Sequence, residues 1–296
     1  MADWRQIPEA GTVWGIRFIV GLARVFRRRV AGWFLYLVSL YYVVFRGAVR
    51  RASRGYLRRI GRPDGLGSVA RHIHTFAQVS LDRLFFLTGR WSSFAVTYHG
   101  HELFLDAARS GRGALLLGAH VGSFELMRSR AEFSGVPVNV VVDFSNAERI
   151  SSVLRSLAPG LDTRILPLGR DPLATVLDIK GCVERGELVA ILGDRVGAGA
   201  RQVAVRFLGD EAPFPAGPWL LAHTLGCPVY FCAGLYRPPN RYDLHCELIA
   251  DAVTLDRGAR DEAVQSYAQR YAAVLERHLA LAPLNWFNFF DLWSRP

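Results

Sequence analysis

Residues 113 to 127 read G-A-L-L-L-G-A-H-V-G-S-F-E-L-M. An apolar run from Ala114 to Leu117 ends in small residues, and His120 follows. A strand with one wet face alternates polar and apolar positions, whereas an unbroken apolar run is covered on both faces. Such a strand needs layers of structure above and below it, which narrows the fold to a sheet packed between helices.

The rest of the chain repeats that alternation. Strand patterns fall at 113 to 119, 136 to 142, 161 to 166, 187 to 193, 203 to 208, 228 to 235 and 242 to 249. Helix patterns fall at 122 to 134, 146 to 157, 171 to 184, 216 to 226 and 259 to 281, and residues 52 to 110 read as helical around the R-P-D-G-L-G link at 62 to 67. The first four strands alternate with helices, as in a mostly parallel sheet, and the closer spacing of the later ones admits antiparallel pairing. The expected fold class is α/β: a mixed, mostly parallel central sheet flanked by helices, with an N-terminal membrane-associated helical segment. The expected division is a basic, apolar anchoring segment at 1–62 and an α/β domain at 63–296.

Charge is unevenly spread. Residues 1 to 62 hold 13 Arg against Asp3 and Glu9; of 36 basic and 26 acidic residues that leaves 23 and 24 for the remainder, so the net charge of +10 is an N-terminal property. A nucleic-acid binder carries its basic residues over a folded face. Here they bracket apolar sequence, which favours a membrane surface and no nucleic acid. A mean hydropathy of +0.15 and 51% hydrophobic residues agree with membrane association.

Residues 13 to 26 place Arg17 and Arg24 on one side of an amphipathic interfacial helix. Residues 30 to 45 carry no charge, but sixteen helical residues reach only about 24 Å, short of a hydrocarbon core of roughly 30 Å. A retained anchor or monotopic hairpin fits better than a signal peptide, because no small-residue cleavage site follows Phe45. A buried core helix is the alternative for 30 to 45.

Cys182, Cys227, Cys232 and Cys246 form no C-x-x-C, and no histidine pair has zinc-finger spacing. They are expected to be structural thiols in a reducing compartment, and no metal site is read from the sequence.

His120 stands at the carboxyl end of the first buried strand, where open α/β sheets place catalytic groups. Glu125 follows five positions later, in the first turn of the next helix. On a continuous helix the two would diverge by about 140°, so they meet only if the chain turns, which Gly122 permits. A neutral imidazole takes a proton from a hydroxyl, and a carboxylate on its other nitrogen fixes the tautomer. On spacing alone, a strand-end histidine beside an ordinary helix-start glutamate reads equally well.

H-x-x-x-x-E after a G-x-L-L-L-G strand resembles the H-x-x-x-x-D/E motif of the lysophospholipid acyltransferase superfamily, and most closely its branch of bacterial lipid A biosynthesis lauroyl/myristoyl acyltransferases. L-G-D-R at 192 to 195 looks like that branch's acidic loop after a strand. V-R-F-L-G-D-E-A-P-F-P-A-G-P-W-L-L-A-H-T-L-G-C-P-V at 205 to 229 resembles its phenylalanine-glycine block and Gly-Pro turn before a helix. The resemblance covers roughly residues 13 to 295. It implies transfer of a fatty acyl group from a thioester, acyl carrier protein or coenzyme A, to a lipid or glycolipid hydroxyl at the cytoplasmic face of the bacterial inner membrane, without a cofactor. By that resemblance His120 is the base and Glu125 its partner, and Asp194, Arg195, Arg170 and Gly217 lie toward the substrates. As plain structure, Asp194 and Arg195 would form a loop ion pair, Arg170 a surface residue, and Gly217 with Pro218 a helix start.

The family commonly ends in tryptophan and a His-Arg-Arg-Trp cluster. This chain ends P-L-N-W-F-N-F-F-D-L-W at 283 to 293, keeping the aromatics without the cations. Core or interface packing accounts for that stripe. The acceptor therefore stays open among lipid A, aryl-polyene-type lipids, amino-acid lipids and other glycolipids. A lipid hydrolase using Ser123 is a competing class, although the chain has no G-x-S-x-G elbow. A non-catalytic lipid carrier is another.

Overall fold

The computed structural model describes residues 28–127, 138–142, 165–168, 172–197 and 199–293, with Gly21 and Val136 besides. The helices are α1 (Arg28–Phe45), α2 (Gly47–Arg59), α3 (Leu66–Leu87), α4 (His101–Arg109), α5 (Pro172–Glu184), α6 (Gly217–Leu225) and α7 (Arg260–Leu281). The strands are β1 (Ala95–His99), β2 (Ala114–Gly118), β3 (Val138–Val142), β4 (Ile165–Pro167), β5 (Leu188–Leu192), β6 (Gln202–Phe207), β7 (Asp210–Pro215), β8 (Val229–Arg237) and β9 (Arg241–Ala250).

Among the described residues seven strands form one sheet in the order β1-β9-β8-β2-β5-β3-β4, and β6 and β7 form a separate antiparallel pair. Neighbours in the large sheet are parallel except β8 and β9, which form an antiparallel hairpin. The α/β class read from the sequence is the one observed.

Burial on both faces explains the unbroken apolar run of β2. Leu115 and Leu117 enter the larger core, with Ile179 of α5, Trp219 of α6 and Tyr271 and Leu275 of α7. Ala114 and Leu116 point the other way, into a smaller core with Ala107 of α4, Val138 and Ala190. The same alternation divides β5 and β8, so the sheet separates two apolar layers.

Two elements depart from the sequence reading. Residues 52 to 110 are not all helical, since they include the edge strand β1. Its exposed residues carry no buried alternation, and its pairing with β9 is set by tertiary contact. β7 contains Asp210, Glu211 and two prolines, which disguise it as a loop; prolines are tolerated there because the pair has open edges. The helix expected at 146 to 157 lies outside the described residues, as do nearly all of residues 13 to 26.

α1 buries Ala31, Leu35 and Ser39, one residue per turn, against α3. Arg28 fixes its start with a bidentate bond to Asp82 at 2.6 and 2.8 Å, and Tyr242 donates to the same carboxylate at 2.8 Å. The opposite face is bare: Trp33 is 73% exposed, and Tyr36, Leu37, Leu40, Val44 and Phe45 are exposed with it. Among the described residues no single helix is long and apolar enough to cross a membrane; α1 and α2 meet that test only together and bend by 94°. α2 sends Tyr56 and Leu57 into the larger core, and Tyr56 donates to the Pro283 carbonyl.

Candidate active site

Parallel pairing of β2 with β5 sets Gly118 beside Leu192. The chain therefore leaves both strands at the same carboxyl edge, two residues before His120 and Asp194. Gly193 N–H donates to the Gly118 carbonyl at 2.9 Å and Tyr271 donates to the same oxygen at 2.7 Å, locking the two exits together.

His120 and Asp194 meet there. His120 Nδ1 lies 2.7 Å from Asp194 Oδ1, and the His120 backbone N–H donates to Oδ2 at 2.9 Å. Trp286 Nε1 and Asn288 Nδ2 also donate to Oδ2, at 3.2 and 3.0 Å. A fully buried carboxylate would ordinarily take a proton, because burial disfavours its charge. Here His120, the hydrogen bonds and Arg195 outweigh burial and hold Asp194 at about 2. An ionised carboxylate only accepts, so Nδ1 carries the ring proton and the lone pair sits on Nε2. The imidazole side chain is 26% exposed, and its bond to Asp194 runs through Nδ1.

Burial and the nearby Arg195 lower the His120 pKa from its ordinary value, against the opposing pull of Asp194. The ring is accordingly neutral at pH 7. Arg195, itself lowered by burial to about 10, stays cationic. Its Nε donates to Asn288 Oδ1 at 2.6 Å, Nη2 donates to the Phe287 carbonyl at 3.3 Å, and its guanidinium lies 5.3 Å from the centre of the Phe290 ring.

The hydrogen bond expected between His120 and Glu125 is not formed. Glu125 stands in the helical turn after Gly122, where Arg83 of α3 donates to its Oε1 at 2.5 Å. Gly122 does turn the chain, at φ +58°, and a Cβ there would lie 1.9 Å from the Gly234 carbonyl oxygen. The turn directs the chain onto β8, where Ser123 N–H donates to Gly234 at 2.8 Å, and it leaves the His120 side chain to β5. Ser123 is 3% exposed and its Oγ caps the turn by accepting from Leu126 N–H at 3.2 Å, a structural task rather than a nucleophile's. Gly217 opens α6 in an exposed position with open space around it. Arg170 lies outside the described residues.

Sequence reasoning missed Asn285, Trp286 and Asn288. The terminal segment lies across the loop that carries His120: Phe287 N–H donates to the His120 carbonyl at 2.7 Å, and Gly122 N–H donates to the Asn285 carbonyl at 2.9 Å. Asn285 is pinned by the backbone of Tyr236, at 2.7 and 3.1 Å. The available signal was two asparagines inside an aromatic run, since buried amides need partners. The aromatic stripe is largely core, as expected, yet its Trp286 and Asn288 also serve Asp194.

On the α4 side of the sheet a cavity open to solvent is bounded by Phe104, Leu116, Phe124, Met127, Val138 and Ala190 among others. Gly118 and Phe124 also line it, so the cavity lies beside the loop of His120. Its wall is mainly hydrocarbon. Among the described residues the group able to hold a metal ion is elsewhere, at His99, Asp243 and His245.

These arrangements set an imidazole–carboxylate pair beside an apolar cavity in an α/β fold. The profile of the bacterial lipid A biosynthesis acyltransferase family matches residues 73–295, most of the chain, and the protein belongs to that family of acyltransferases. A comparison with curated proteins gave no match.

Proposed function

We propose that this protein is a membrane-associated O-acyltransferase that moves a fatty acyl chain from an acyl thioester to a lipid or glycolipid hydroxyl. The observation that carries the reading is His120, held through Nδ1 by Asp194, beside an apolar cavity. In the proposed step His120 Nε2 takes the acceptor's hydroxyl proton while its oxygen attacks the thioester carbonyl. The tetrahedral intermediate collapses, the carbon–sulfur bond breaks, and the imidazolium returns its proton to the departing thiolate. Asp194 stabilises the imidazolium, the part that the resemblance gives to Glu125. Glu125 with Arg83 fixes the loop that carries the base. Such base catalysis supplies roughly 10²–10⁴ in rate.

The donor is proposed to be acyl carrier protein rather than coenzyme A, because an acidic carrier is steered to an Arg-rich surface. The membrane is proposed to meet the bare face of α1, with Arg46, Arg50 and Arg51 at its end supplying contacts to anionic headgroups. The proposed location is the cytoplasmic face of the inner membrane. Lipid extracts from cells carrying the wild type and His120→Ala, compared by mass spectrometry, test the reading. A lipid species that loses one acyl chain in the variant names the acceptor and the chain length together. Identical lipid profiles, with the wild type shown to be produced, would overturn it and leave a lipid carrier as the better description.

A further inference from the structure

We propose a transition-metal site, of a chemistry that suits Zn²⁺, at His99, Asp243 and His245, independent of the acyl-transfer reading. Among the described residues β1 is an edge strand paired with β9, and the parallel register sets His99 directly against His245. Their rings stack with centroids 4.4 Å apart and planes 8° from parallel. Asp243 lies two residues before His245, on the same face of β9. One donor atom from each of the three lies within 4.8 Å of the others.

The donors are available. Arg237 donates to Asp243 Oδ2 at 2.8 Å, and Oδ1 has no hydrogen bond among the described residues. His245 Nε2 is buried without a hydrogen-bond partner, a condition that costs stability unless a ligand relieves it. His278 of α7 packs edge-on against His245 with centroids 4.8 Å apart, and Glu247 Oε1 lies 3.3 Å from His278 Nε2, so the inner imidazole is held from behind.

Two imidazoles and a carboxylate suit a borderline cation with a fourth position for water, whereas Mg²⁺ and Ca²⁺ favour all-oxygen sets. Metal–nitrogen bonds of about 2.0–2.1 Å require the donors to close by about an ångström, which the exposed ring of His99 achieves by rotation. The ion ties the exposed edge strand to its neighbour. The ion does so on the α7 face of the sheet, where His245 meets His278.

The test uses the tag-free, full-length protein stripped by a chelator and titrated calorimetrically with ZnCl₂. One equivalent binds to the wild type and raises Tm. His99→Ala, at an exposed position that leaves the fold intact, and His245→Ala each weaken binding by about 10-fold or more, the loss that follows removal of even an outer-shell partner. A Cys232→Ala/Cys246→Ala variant keeps wild-type affinity, which distinguishes this site from the two neighbouring thiols on the other face of the sheet. Absence of binding to the wild type, affinity unchanged in both histidine variants, or affinity lost in the thiol variant would overturn the proposal.

Discussion

Asp194 Oδ1 lies 2.7 Å from His120 Nδ1, while Asp194 Oδ2 accepts from the His120 backbone, Trp286 and Asn288. The two oxygens therefore have different duties. In Asp194→Asn the amide oxygen must stay where three donors converge, and the NH₂ must face Nδ1. Nδ1 then becomes an acceptor and the ring proton moves to Nε2. Long-range ¹H–¹⁵N spectra of histidine-labelled protein should show the Nδ1–H tautomer of His120 in the wild type and the Nε2–H tautomer in the variant. The same tautomer in both would refute the geometry.

Gly122 cannot be replaced cheaply. Its φ of +58° strains any L side chain, and a Cβ would meet the Gly234 carbonyl at 1.9 Å. Gly122→Ala should lower unfolding free energy by more than about 2 kcal/mol in chemical denaturation, since the backbone conformation alone costs about 1–2 kcal/mol.

Ala190 is 2% exposed and stands in the cavity wall on β5. If the cavity holds the acyl chain, Ala190→Leu shortens the space available to it. The expected outcome is a product distribution moved toward shorter chains by mass spectrometry, with total turnover reduced less than the longest product. An unchanged distribution in a folded variant would remove the cavity from the mechanism.

His72 is fully buried between Ser53 Oγ, at 2.9 Å, and the Trp286 carbonyl, at 2.8 Å. Burial pushes its pKa down to about 4, although the carbonyl opposes the shift. The unfolded chain, with histidine near 6.5, takes up the proton first as pH falls. His72 thus contributes stability that is fully present above about 6.5 and declines toward about 4. Tm should fall across that window, and His72→Gln should flatten the fall in calorimetry.

Much of the fold was legible because burial leaves a local mark. β2, β3, β5 and β8 are covered on both faces and read as apolar runs, and α7 begins and ends within a residue of its expected bounds. β1 and β7 were hidden, one by exposure and one by its charges and prolines. His120 and Asp194 were each picked out by their strand ends. Their union was not, because it depends on β2 lying next to β5, which no local pattern encodes. Spacing favoured Glu125, which is near in sequence, over a carboxylate 74 residues away. The role of Asn288 was hidden for the same reason, 94 residues from Asp194.

The most direct test is the initial rate of acyl transfer by purified Asp194→Asn, measured against the wild type with an acyl thioester and the lipid fraction that accumulates in His120→Ala cells. A folded variant slowed at least about 10²-fold is the predicted result. A rate within a few-fold of the wild type would contradict the assignment of Asp194 as the residue that makes His120 a base.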